Sequence, residues 1–107
     1  MAAKYLTKIG YRILQRNARL GRYEIDIIAL DGDTTAFIEV KTRESGDPVA
    51  PEENVHHDKQ RRIITAARNY ISKEDDTEMY YQFDIVAVII PEKGRPEFTV
   101  FKDAFTD

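Results

Sequence analysis

Apolar and polar residues change period several times along the chain, and each change marks an element. From Ala3 to Ile9, the positions Tyr5, Leu6 and Ile9 suit one face of a helix, and Gly10 is a good helix stop. Tyr11–Arg16 alternates as a strand, with Tyr11, Ile13 and Gln15 on one side and Arg12, Leu14 and Arg16 on the other. Asn17–Gly21 reads as a connector. Two strands follow, Arg22–Leu30 and Thr35–Arg43, joined by Asp31–Thr34, whose Gly32-Asp33 pair is a hairpin signal. Glu44–Val55 contains Gly46, Pro48, Pro51 and several acidic residues, which predicts an irregular loop leaving the end of the preceding strand. His57–Ser72 carries the clearest helical period: Ile63, Ile64, Ala67, Tyr70 and Ile71 share one arc, with Ala66 at its edge and Arg61 and Arg68 opposite. Lys73–Glu78 is an acidic turn. Met79–Ile90 is β-rich, and from Ile85 onward apolar enough for burial on both faces. Pro91–Pro96 is a turn and Phe98–Phe101 a last strand. The order αβββαββ predicts an α/β fold, a mixed central sheet flanked by helices, in one domain over residues 1–107.

The hairpin carries the chemistry. With Gly32-Asp33 as the turn, Asp31 faces Thr34, Asp26 faces Glu39 and Glu24 faces Lys41. Strand alternation puts Glu24, Asp26 and Ile28 on one face, and Phe37, Glu39, Lys41 and Arg43 on one face of the next strand. Two opposed carboxylates repel, so a purely structural hairpin has no use for them among Ile25, Ile27, Ile38 and Val40. A divalent cation does. Mg²⁺ and Mn²⁺ take hard oxygen ligands, usually one or two carboxylates completed by water and phosphate. Asp26 and Glu39 are the expected ligands, with the Val40 carbonyl as a third, and Glu24 an auxiliary acid. Lys41, beside Glu39 on the same face, is placed to hold an attacking water or phosphate oxygens. The structural alternative is a solvated strand face with a Glu24–Lys41 ion pair.

Charge distribution adds a polyanion. The 107 residues carry a net charge of −3, yet Lys4, Lys8, Arg12, Arg16, Arg19 and Arg22 stand in a stretch with no acidic residue before Glu24. A basic end on an acidic chain points to nucleic acid, with Arg16, Arg19, Arg22, Arg43 and Lys59 as candidate phosphate contacts; a solvated basic face is the bland alternative. The chain has no cysteine, which excludes disulfides and thiolate metal sites and fits a reducing cytoplasm. No apolar run is long enough for a membrane span, and no signal-peptide pattern follows Met1.

Asp26 followed by Glu39-Val40-Lys41 resembles the D…E-x-K pattern of the restriction-endonuclease-like nucleases, which include Holliday-junction resolvases. Together with Gly10–Asn17 (GYRILQRN), Glu24–Ala29 (EIDIIA), Phe37–Arg43 (FIEVKTR) and Phe83–Val88 (FDIVAV), it resembles the YraN-like family of bacterial endonuclease-like proteins over nearly the whole chain. The resemblance implies a restriction-endonuclease-like fold and a Mg²⁺- or Mn²⁺-dependent nuclease, with DNA favoured over RNA. In that family a longer first helix carries a Glu shortly before the Ala-Ala pair. Here Met1 directly precedes Ala2-Ala3, so the first helix is expected to be truncated and that carboxylate missing. Tyr23 stands where relatives have Gly, and Gln82 where they have Arg. In resolvase-like nucleases a polar residue on the helix after E-x-K often faces the site, which makes Gln60 a candidate. Asp84 is either a further acid near the site or a partner of Arg62 or Arg68. Adjacent His56 and His57 project in different directions, and a loop or helix-start role suits them better than zinc. Two rival readings remain, a non-catalytic nucleic-acid-binding domain that kept the fold and a protein-interaction module. The oligomeric state is open, with a homodimer as one candidate.

Overall fold

The computed structural model describes residues 1–46, 57–74 and 79–106. Helix α1 (Ala2–Lys8) leads into strands β1 (Arg12–Leu20), β2 (Tyr23–Asp31) and β3 (Thr34–Glu44), then helix α2 (His57–Lys73) and strands β4 (Tyr80–Ile90) and β5 (Glu97–Phe105). The five strands form one mixed sheet in sequential order. β1–β2, β2–β3 and β4–β5 pair antiparallel, and β3–β4 pair parallel, the crossover running through α2. A parallel pair needs such a crossover, because a tight turn cannot return the chain in the same direction. Among the described residues, no helix is long and apolar enough to cross a membrane.

The sheet is covered on both faces, so its central strands are apolar on both sides. On one face Ile63, Ala66 and Ala67 of α2 pack with Ala18, Leu20, Ile25, Ile28, Phe37, Phe83, Ile85 and Phe105. On the other, Ala2, Ala3 and Leu6 of α1 pack with Tyr11, Ile27, Ala29, Ala36, Ile38, Val86 and Val88. The alternation of Phe37 against Ala36 and Ile38, and of Ile85 against Val86, is the period-two signature of a strand buried on both sides. Ile9 does not join the α1 face. It is the C-cap of the helix and 46% exposed, and Gly10, at φ +112°, ends the helix there.

Three boundaries differ from expectation. β1 does not stop at Arg16 but runs through the expected connector to Leu20, because Ala18 and Leu20 alternate with exposed Arg19 and bury under α2. The turn to β2 is only Gly21-Arg22, with Gly21 at φ +68°. β3 continues through Glu44, and the Ser45 amide still donates to the Ile90 carbonyl at 2.9 Å. β5 extends to Phe105, whose ring stacks on Phe83 at 5.0 Å between centroids. The rest of the expected loop, 47–55, and His56 lie outside the described residues, as does most of the expected turn over 73–78.

Candidate functional site

The β2–β3 hairpin forms with the expected register near its turn. Asp31 pairs Thr34 and the ladder runs to Ile27↔Ile38, with Gly32 at φ +65° as a two-residue hairpin turn requires. There the ladder ends, one pair short of Asp26 and Glu39. In place of a ladder carbonyl, the Asp26 carboxylate Oδ2 accepts the Val40 amide at 2.8 Å. The two strands splay at this point, and the carboxylate fills the first step of the gap.

Strand alternation fails at the same place. Ile28 faces α2 and Ile27 faces α1, as a regular strand requires, but Ile25 also packs on the α2 side. Glu24, Asp26 and Ile28 therefore do not share a face as the simple period predicts. Across the β1–β2 ladder, Arg16 pairs Ile27 and Ala18 pairs Ile25; the residue between, Asn17, lies at φ +51°. Asn is among the few non-glycine residues that visit this left-handed region at modest cost. The sheet thus bends at Asn17 and Asp26 together, and Asp26 is turned into a cleft of about 360 Å³ lined by Met1–Ala3, Arg16, Asn17, Ile27 and Val40.

Glu39 approaches from the α2 side. It follows Phe37 on that face and is almost fully buried, its side chain 5% exposed. Two ammonium groups reach the same oxygen, Oε1: Lys59 Nζ at 3.5 Å and Lys41 Nζ at 3.9 Å. Burial pushes the Glu39 carboxyl up, and the negative charge of Asp26 pushes it further, to about 7. Protonated Glu39 donates a hydrogen bond to Asp26, while Lys59 and Lys41 pull the other way. The two carboxylates therefore meet in the gap between the splayed strands. The N–H and C=O of one strand residue leave on the same side. With its N–H directed at Asp26, Val40 points its carbonyl toward the same gap.

Glu24 is elsewhere. With the β2–β3 ladder ending at Ile27, it does not oppose Lys41; its cross-strand neighbour is Arg19 of β1, and it is exposed. Arg16 lines the cleft with Asp26. Arg19 and Arg22 follow on the β1–β2 hairpin, Arg22 at its tip, four residues and ~13 Å along the strand from Asp26. Arg43 is half-buried two residues beyond Lys41, and Gln60 is half-buried beside Lys59 in the first turn of α2.

Asp84 does not belong to this group, nor does it pair with Arg62 or Arg68. It is fully buried on the α1 face, paired in register with Ile38. Its Oδ2 accepts the Tyr11 hydroxyl and the Gln82 amide, each at 2.8 Å, and its Oδ1 accepts the Asp103 backbone amide at 2.9 Å. Gln82 also donates to Asp31 at 3.2 Å, and Lys102 pairs with Asp31 at 2.9 Å. The Asp84 carboxylate is satisfied by donors from both edges of the sheet.

The sequence places Lys59 among phosphate contacts and does not disclose its reach to Glu39. The available signal is its position four residues before Ile63, which puts it on the sheet-facing side of α2.

Comparison with known proteins agrees with the sequence resemblance. The profile of the Uncharacterised protein family UPF0102 matches residues 1–88. A UPF0102 protein of Chlorobaculum parvum is 53% identical over 89 residues, covering 83% of this chain and 69% of its own length. One from Chlorobium limicola is 49% identical over 98% of this chain and 85% of its own. A more distant one from Anaeromyxobacter dehalogenans keeps 39% identity over 98% of this chain and 78% of its own. The chain belongs to the UPF0102, or YraN-like, family.

Proposed function

We propose that this protein is a metal-dependent nuclease of restriction-endonuclease-like fold, acting on nucleic acid, with DNA favoured. One observation carries the reading. Asp26 and Glu39, from two strands that part where they would have paired, converge in a gap flanked by Lys41 and Lys59. Bringing two carboxylates together under burial costs stability unless a cation occupies the space. A structural hairpin would have continued its ladder.

The donors suit Mg²⁺ or Mn²⁺. Two carboxylates and a backbone carbonyl are hard oxygen ligands, and the remaining positions of an octahedron fall to water and substrate phosphate. Asp26, Glu39 and the Val40 carbonyl would hold the ion, which supplies Lewis acidity and a water of lowered pKa. Lys41, on the same strand face as Glu39, places a positive charge where the pentavalent phosphorus gathers negative charge. In the hydrolysis a water oxygen bonds to phosphorus, the ester P–O bond breaks, and the leaving oxygen takes up a proton. Arg16, at the cleft that Asp26 enters, and Arg19 and Arg22 beyond it provide a track for the backbone phosphates on the α1 side.

The second reading is a nucleic-acid-binding domain without turnover. It is favoured by one observation: Lys59 and Lys41 both lie within salt-bridge distance of Glu39, so the fold itself already supplies positive charge to the gap. A panel of branched, flapped, single-stranded and duplex substrates, incubated with Mg²⁺ or Mn²⁺, separates the two. Cleavage lost in Asp26→Asn supports the nuclease; retained binding with no cleavage of any substrate by wild type supports the binding domain.

A further inference from the structure

Lys59 lies closer to Glu39 than the Lys41 of the strand motif does, and it comes from a different element. Its position is fixed by packing. Ile63, one turn on, and Ala66, two turns on, are buried against the sheet, so the first turn of α2 is held within reach of Glu39 at the middle of β3. The exposed side of the helix belongs to Arg61, Arg62 and Arg68. Lys59 side-chain exposure is 42%, so its stem lies against the protein while solvent still reaches the ammonium.

Lys59 and a bound dication would compete for the same place. Glu39 Oε1 already has Lys59 at 3.5 Å and Lys41 at 3.9 Å, and Asp26 is on the other side. A dication bound between the carboxylates would stand within a few ångströms of the Lys59 ammonium. Like charges at that range repel even in a wet site. Lys41 is tethered two residues from Glu39 and stays close whatever occupies the gap. Lys59, on a long flexible stem from another element, is free to leave.

Resting on the nuclease reading, we infer that Lys59 is the resident counter-ion of the metal-free site, seated on Glu39 and displaced when a divalent cation binds. It is a positioning residue: it holds the Glu39 carboxylate in place before the metal arrives and sets how tightly the metal is taken up. Once displaced, its charge lies on the α2 side of the gap, across from the Arg16 side, where a phosphodiester oxygen is its natural partner.

Two measurements on the whole protein test this, neither of them activity. In the first, thermal unfolding without metal, at about pH 8 so that Glu39 is ionised, compares wild type, Lys59→Met, Glu39→Gln and the double variant. Lys59→Met should lower the melting temperature by a few degrees when Glu39 is present, and by little when it is added to Glu39→Gln. Equal effects in both backgrounds would overturn the pairing. In the second, calorimetric titration with Mn²⁺ alone should show Lys59→Met binding roughly three- to tenfold more tightly than wild type. Lys59→Arg, which keeps the charge, should stay near wild type, and Arg61→Met on the exposed face of the same helix should not differ. Unchanged or weaker Mn²⁺ binding in Lys59→Met would overturn displacement. If wild type takes up no Mn²⁺ while the thermal coupling persists, the nuclease reading fails and Lys59–Glu39 is a structural ion pair, which also overturns displacement.

Discussion

The sheet buries two carboxylates one register step apart, Asp84 on its α1 face and Glu39 on its α2 face, and the two are treated in opposite ways. Asp84 sits among donors: a hydroxyl, a side-chain amide and a backbone amide converge on its two oxygens. Glu39 sits beside another carboxylate, at a point where the ladder has come apart. Burial of a charged group is tolerable when hydrogen bonds replace water, and the Asp84 face meets that condition with groups supplied by the fold. The Glu39 face leaves it partly unmet, with two ammonium groups at salt-bridge rather than close hydrogen-bond distance. Unrelieved electrostatic crowding of this kind is a mark of a functional site; a saturated network marks structure. Burial alone would have ranked the two carboxylates together.

The largest expected difference between the two carboxylate sites is in catalysis. Lys41→Ala should lower phosphodiester cleavage by about 10²–10³ while barely changing nucleic-acid affinity, since one phosphate contact is a small part of the electrostatic term. Tyr11→Phe, which removes a donor to Asp84 on the other face, should leave the rate per folded molecule intact. If Lys41→Ala cleaves as fast as wild type, the proposed role of the splayed end is wrong.

Stability should reverse the ranking. Asp84→Asn replaces an acceptor-only group by one that turns an N–H₂ toward existing donors, and should cost about 2–4 kcal/mol in denaturant unfolding. Glu39→Gln should cost nothing at neutral pH without metal, and should stabilise if the repulsion from Asp26 dominates. A comparable loss in both variants would erase the distinction.

Adding metal sharpens the contrast from the other side. Mn²⁺ at 100 times its dissociation constant should stabilise the fold by about 2.7 kcal/mol. Asp26→Asn should abolish that shift, and Asp31→Asn, at the turn of the same hairpin, should keep it.

A smaller effect is expected from pH. The Glu39 carboxyl is raised from an ordinary value of 4.5 to about 7 in the folded chain. Between these values the folded state holds a proton that the unfolded state has released. The stability contributed by Glu39 is therefore fully present below about 4.5, falls as pH rises, and is lost by the time pH has passed about 7. Subtracting the unfolding profile of Glu39→Gln from that of wild type should isolate this slope. A flat difference across the window would mean that burial and Asp26 together do not raise the Glu39 carboxyl in the folded chain.

The smallest expected change is in salt dependence. Replacing Arg16 and Arg19 with Gln should weaken binding across sequences alike and flatten the log–log salt slope by about one to two units. If Arg61 and Arg68 substitutions abolish binding instead, the polyanion lies along α2.

Much of the hairpin is legible in the sequence because a local signal fixes it. Gly32-Asp33 sets the register, and the register brings Asp26 and Glu39 to the same level. What the chain does not disclose is the splaying. A ladder projected from its turn continues indefinitely, whereas this one stops at Ile27↔Ile38, level with the left-handed Asn17 of another strand. The place of Asp84 is hidden for a similar reason. Its donors come from Tyr11, Gln82 and Asp103, and only Gln82 is near it in sequence. The Asp103 donor is a backbone amide in a strand whose apolar pattern stops short of it. Lys59 reads as a phosphate contact because helical period says which face a residue occupies but not what lies beneath it.

The left-handed residues at the sheet margins have a consequence for association. β1 and β5 are the open edges of the sheet, and an unbroken edge offers its free amides and carbonyls to any other strand. Neither edge is unbroken. β1 slips register between Ile13 and Gln15 and turns at Asn17, with Arg12, Arg16 and Arg19 projecting along it. β5 turns at Asp103, φ +53°, beside a second register slip opposite Phe83 and Ile85. A second copy, or a partly unfolded neighbour, finds only short runs to pair with and meets a row of positive charge on one side. The same kink that accompanies the turning of Asp26 out of the ladder thus also interrupts the row of backbone groups that an added strand would need.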